Sequence, residues 1–221
     1  MDQLTICKQR KKIYELLSYC LLNVPTKDSL QLMIKGQEIL KELIEDRGSE
    51  YLIELSGLKE YEQEYYDRFF VPTSTHFIPP YESAIRNRLK SDENTKFGKL
   101  ESKETFHVKA CYEMVSFNPQ NLNMFKPLKD IRFPDHIAYE MSFMTFLVAE
   151  EEKSLGKNPE KVLRWQNLER QFLNEHLSKW IADYARLSEK KNKGLYSYWL
   201  NLCAAWIKED IRQIEIDEGV I

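Results

Sequence analysis

The residues with the most chemistry are Asp135 and His136, adjacent in Pro134-Asp135-His136 just ahead of an apolar stretch. A carboxylate and an imidazole suit general acid–base work if a hydrogen bond lets one orient the other. Neighbouring residues on a helix point about 100° apart, which argues against a dyad. His176 shares a stripe with Phe172 and Trp180 and reads as a hydrogen-bonded core histidine. His76 and His107 show no partner at ligand spacing, and Cys7, Cys20, Cys111 and Cys203 are widely separated without a Cys-x-x-Cys. Metal and redox-dithiol sites are therefore not expected, and the thiols are expected to be reduced in a cytoplasmic setting. The chain contains no glycine-rich phosphate loop, no nucleophile elbow and no His-x-x-x-His pair. It reads as a non-enzyme that carries no cofactor and no metal.

Binding chemistry is better represented. Tyr66, Phe69 and Phe70 lie within one helical turn and cannot all face inward, so at least one should be exposed or line a groove. They precede a proline-rich loop at residues 72–80 that contains Phe77 and Ile78, and then Tyr81. Restricted loops bearing aromatics form the rims of binding grooves. The competing reading makes Tyr66, Phe69, Phe70 and Tyr81 ordinary core and leaves Asp135 to serve only a helix start.

The elements that must hold these residues are helices. Only 7 glycines occur in 221 residues, and 43% of the chain is hydrophobic, enough for a sizeable core. One all-α domain over residues 1–221 is expected, with lobes at 1–125 and 126–221. The central helix begins with Pro134 at its first position; Ile137, Met141, Met144 and Val148 form one stripe, and aromatics fill the other faces. At such a start the helix dipole favours the charge of Asp135 and disfavours protonation of His136.

Ahead of it, an amphipathic first helix carries Ile13, Leu16, Leu17, Cys20 and Leu21. A second has Asp28 and Gln31 near its cap, a buried stripe of Leu32, Ile39, Leu40, Leu43 and Ile44, and Gly48 at its end. Leu58, Tyr61, Tyr65 and Phe69 mark a third, preceded by a short helix at 51–55. Residues 90–99 read as a mobile surface segment. Val108, Cys111, Tyr112 and Val115 mark another helix, and the connection at 120–132 is long enough for helix exchange between protomers. Val162, Trp165, Leu168, Phe172, His176, Trp180 and Tyr184 follow one helix, and Tyr196 to Ile211 another, before an acidic tail at Glu215, Asp217 and Glu218. The 32 basic and 35 acidic residues leave a formal net charge of −3, with no basic case for nucleic acid. No apolar run approaches the ~20 residues that span a bilayer, so no direct membrane insertion is expected.

Pro134-Asp135-His136-x-x-x-Glu140-x-x-Phe143-Met144 resembles the signature of the TorD/DmsD/NarJ family of redox-enzyme maturation chaperones. Further ordered matches are Tyr66, then Phe69 and Phe70, then Pro80 and Tyr81, and later Phe172 to Leu177, Trp180 and Tyr196. Ser116 before Phe117 departs from the glycine many members carry there. The resemblance implies a TorD-like helical bundle, monomeric or homodimeric, that binds the N-terminal leader of a molybdoenzyme catalytic subunit, often a twin-arginine signal. It also implies a leader site at Tyr66, Phe69, Phe70, Pro80, Tyr81, Asp135 and His136. A generic helical scaffold is the alternative, and a nucleotide-dependent enzyme or switch is a weaker one.

Overall fold

The computed structural model describes residues 2–44, 51–89 and 95–217. The fold is all-α, as composition and periodicity lead one to expect; among the described residues the only β-type pairings are two isolated bridges. Helices α1 (Gln3–Leu22), α2 (Lys27–Leu43) and α3 (Leu58–Phe69) lead to a short α4 (Glu82–Arg86) and to α5 (Lys103–Met114). A short α6 (Lys126–Lys129) precedes the central α7 (Ile137–Ser154), and α8 (Pro159–Phe172), α9 (Ser178–Lys191) and α10 (Leu195–Asp217) complete the chain.

α7 is buried on nearly every side, which follows from its lack of a polar face. α1 and α8 lie against it, α10 packs on α9, and α3 rests on α10. One contiguous apolar core runs from Cys7 in α1 to Ile207 in α10.

Several boundaries differ from the sequence reading. α2 starts on Thr26 and Ser29, whose side chains and backbone N–H groups bond reciprocally at 3.1 and 2.7 Å, and not on Asp28. Its buried face is Leu30, Met33, Gln37 and Leu40, leaving Leu32 and Ile39 about half exposed. Gly48 and residues 90–94 lie outside the described residues. A 3-10 turn at Leu55–Gly57 replaces the short helix expected at 51–55. Gly98 donates to Ala84 O at 2.9 Å, which ties the end of the 90–99 segment to α4. The acidic tail continues α10 as helix through Asp217.

The helix expected through Val162 and Tyr184 is α8 and α9 joined by a π-helical turn, Leu173–Leu177. The sequence pattern explains it. Phe172, His176, Trp180 and Tyr184 are all buried yet repeat every four residues, a step that drifts round an α-helix of 3.6 residues per turn. A wider π turn absorbs the drift and keeps the four on one face.

Two buried charge networks fasten this bundle. Arg10 of α1 reaches Asp210 at 2.6 Å, Glu169 at 2.8 Å and Glu151 at 3.3 Å, and Tyr14 donates to Asp210 at 2.6 Å. One guanidinium thus holds three carboxyl groups from α7, α8 and α10. Glu64 of α3 caps α10 from outside it, accepting from Leu195 N at 2.8 Å and Tyr196 N at 3.0 Å. The fully buried Arg68 braces Glu64 at 3.2 Å and donates to Ser188 O and Asn192 O. A Cβ on Gly194 would lie 2.4 Å from Glu64 Oε2, so the cap needs glycine there.

The first network carries a pH dependence. Burial pushes the Glu169 carboxyl up to about 8, against the pull of Arg10. Folding therefore retains a proton that the unfolded chain releases at the ordinary 4.5. This contribution to stability is complete below that value and is lost as pH rises toward 8. Urea unfolding at a series of pH values should show stability falling across this window, and Glu169→Gln should flatten the fall.

Candidate functional site

The candidate site is built at the start of α7. Ile137 N donates to Pro80 O at 2.9 Å and Glu82 N to Asp135 O at 3.0 Å, pairing the strand-like segments around Tyr81 and His136. This pairing holds His136 extended, directly after a turn at residues 134–135. The helix therefore begins at Ile137 with His136 as its N-cap, three residues later than Pro134 would have placed it.

Asp135 and His136 turn their side chains to different tasks. Asp135 Oδ2 accepts from Ser83 N at 2.9 Å and so anchors α4, while Oδ1 has no hydrogen-bond partner among the described residues. Burial raises its pKa, and the bonds from Ser83 oppose the rise. His136 Nδ1 accepts from Ala138 N at 3.2 Å, and its ring meets Tyr81 edge-on. Burial lowers the His136 pKa to about 3, so the ring stays neutral. Both residues are almost fully enclosed.

Below them lies a carboxyl pair that sequence reasoning did not single out. Glu140 Oε2 accepts from the Trp180 indole at 3.0 Å; burial first, then the neighbouring Glu82 charge, hold its pKa well above the carboxylate range. Glu140 is thus a neutral acid. Glu82 pairs with Arg86 and lies 2.7 Å from His176 Nδ1, and His176 Nε2 lies 2.8 Å from His107 Nδ1. His176 is the satisfied, buried histidine the sequence suggests. His107, read as having no partner, has one: α5 lays it against the π turn, a long-range contact with no local sequence signal.

The seven expected leader-site residues fall into two groups. Pro80, Tyr81, Asp135 and His136 meet at the start of α7 and are buried. At the end of α3, Phe69 is buried, but Tyr66 and Phe70 are half-buried and pack on Phe125 with centroids 5.8 and 5.3 Å away. Ile78 turns into the core and Phe77 stays half-exposed. A cleft of about 470 Å³ opens beside the start of α7, lined by Tyr112, Phe117, Pro119, Ile131, Pro134 and Tyr139.

Fold and site define an all-helical protein whose central polar residues position chain segments around an aromatic cleft. Residues 37–186 match the family described as nitrate reductase delta subunit, and the chain belongs to that family, within the TorD/NarJ redox-enzyme maturation chaperones. Its general role is molybdoenzyme maturation. No curated protein and no solved structure gives a significant match. Among the described residues no helix is long and apolar enough to cross a membrane.

Proposed function

We propose that this protein is a cytoplasmic chaperone that binds the N-terminal leader of a molybdoenzyme catalytic subunit, of twin-arginine type or its remnant. Binding holds the client until its cofactor is inserted and it is assembled or exported. The observation that carries this reading is the family match over residues 37–186. Two surfaces support it: Tyr66 and Phe70 offer ring area at the end of α3, the cleft beside the start of α7 offers an apolar wall, and such surfaces suit an extended or helical segment. Phe69, Pro80, Tyr81 and His136 shape these surfaces from beneath. Asp135 pairs with a basic leader residue when the segment bearing Tyr81 and Ser83 lifts off it. A few such anchors suffice for reversible micromolar binding, about −8 kcal/mol.

Calorimetric titration with N-terminal peptides of the molybdoenzyme catalytic subunits encoded alongside this protein tests the reading. One peptide should bind one-to-one. Tyr66→Ala should weaken it about tenfold, a loss of roughly 1.4 kcal/mol. Asp135→Asn keeps an acceptor for Ser83 N and removes the charge, so weakened binding with unchanged helix content would support the pairing. If the folded protein binds no peptide, the generic scaffold reading replaces this one.

A further inference from the structure

His107, Cys111 and His176 come together although they are far apart in the chain, with one donor atom from each lying within 4.8 Å of the others. His107 and Cys111 stand one turn apart on α5, and His176 reaches them from the π turn, whose bulge brings its ring against that of His107. We propose that these three residues form a binding site for a borderline divalent metal ion such as Zn²⁺.

The donors suit the assignment. Two imidazoles and a thiolate are the ligand types zinc prefers, and tetrahedral coordination separates such donors by about 3.3–3.6 Å. The histidine nitrogens now lie 2.8 Å apart, so a modest turn of the exposed His107 ring would open the space. The outer shell is also in place. A metal-bound imidazole commonly hands its other nitrogen to a carboxylate. Glu82 Oε2 sits 2.7 Å from His176 Nδ1, and Glu175 Oε2 lies 3.8 Å from His107 Nε2. Each histidine thus has a carboxylate behind it and its second nitrogen facing the other. A structural core histidine needs the first contact but not a second histidine and a thiol in front of it.

Ion binding releases the Cys111 thiol proton to solvent. Three protein ligands leave a fourth position for water on the exposed side of His107. Because Glu82 opens α4 next to Tyr81, the ion would also tie α5 and the π turn to the segment that flanks the candidate leader site.

The test is titration of the metal-free, full-length protein with Co²⁺, followed by competition with Zn²⁺. One Co²⁺ per chain should bind, giving tetrahedral d–d absorption and a thiolate-to-cobalt charge-transfer band, both abolished by Zn²⁺. Cys111→Ser should remove the charge-transfer band, and His107→Ala, which removes a direct ligand, should weaken binding by more than the roughly 10–100-fold that losing an outer-shell partner costs, with circular dichroism of both variants unchanged. Cys7, Cys20 and Cys203 are buried elsewhere, so the loss of the band reports on Cys111. Absence of stoichiometric binding, or binding that keeps its spectrum in Cys111→Ser, would overturn the proposal and leave Glu82, His176 and His107 as a hydrogen-bonded chain. Neither result depends on whether a leader peptide binds.

Discussion

Replacing Arg10 by alanine is expected to destabilise the fold by about 3–5 kcal/mol, as breaking a buried ion pair from one side does. Asp210 and Glu169 are almost wholly enclosed, and Glu151 is close to it, so removing the guanidinium leaves three buried carboxyl groups without the cation that faces them. Arg10 is what pulls the Glu169 pKa down against burial, so without it ionising Glu169 costs more and the loss should deepen as pH rises. Arg10→Lys is not expected to rescue stability, because a single ammonium cannot reproduce the separate Nε, Nη1 and Nη2 contacts to three partners. Urea unfolding followed by tryptophan fluorescence at two pH values measures both effects. A loss below about 1 kcal/mol at either pH would put the network in the class of solvated surface pairs.

The second large effect belongs to Glu64. Glu64→Ala removes the acceptor for Leu195 N and Tyr196 N and takes the carboxylate from Arg68, which is fully buried. A destabilisation of about 2–4 kcal/mol is expected from the unsatisfied donors and the orphaned charge. Glu64→Gln keeps one acceptor oxygen and should lose less. Gly194→Ala should approach the alanine result by a different route, since the new methyl would occupy the place of the Glu64 carboxylate. Equilibrium unfolding of the three variants checks the ranking.

These two residues mark where the sequence was silent. Helix content and the central position of α7 were legible because periodicity and the lack of a polar face are local properties of the chain. Arg10 looked like one more basic residue between Lys8 and Lys12, and Glu64 like an ordinary helical acid; their partners lie 200 and 131 residues away. Nothing local encodes such pairings. The start of α7 was misplaced for a related reason. Pro134 is a good first helical residue, but the backbone of residues 135 and 137 is committed to Pro80 and Glu82, and that tertiary pairing overrode the local preference. At the candidate site, half-exposure at the end of α3 followed from three aromatics in one turn. The carboxyl pair of Glu82 and Glu140 and the approach of His107 to His176 depended on how α4, α5 and the π turn converge.

The π turn between α8 and α9 sets one more condition on the chain. It stores a single extra residue within a continuous rod, and everything after it is in phase only because that residue is there. Deleting one position between 172 and 180 would restore a plain α-helix and swing Trp180 and Tyr184 about 100° away from the core they now fill. At this place the bundle constrains the spacing of the chain as well as the identity of its buried side chains, so a deletion is expected to disrupt packing that substitutions at the exposed positions of the same turn leave intact.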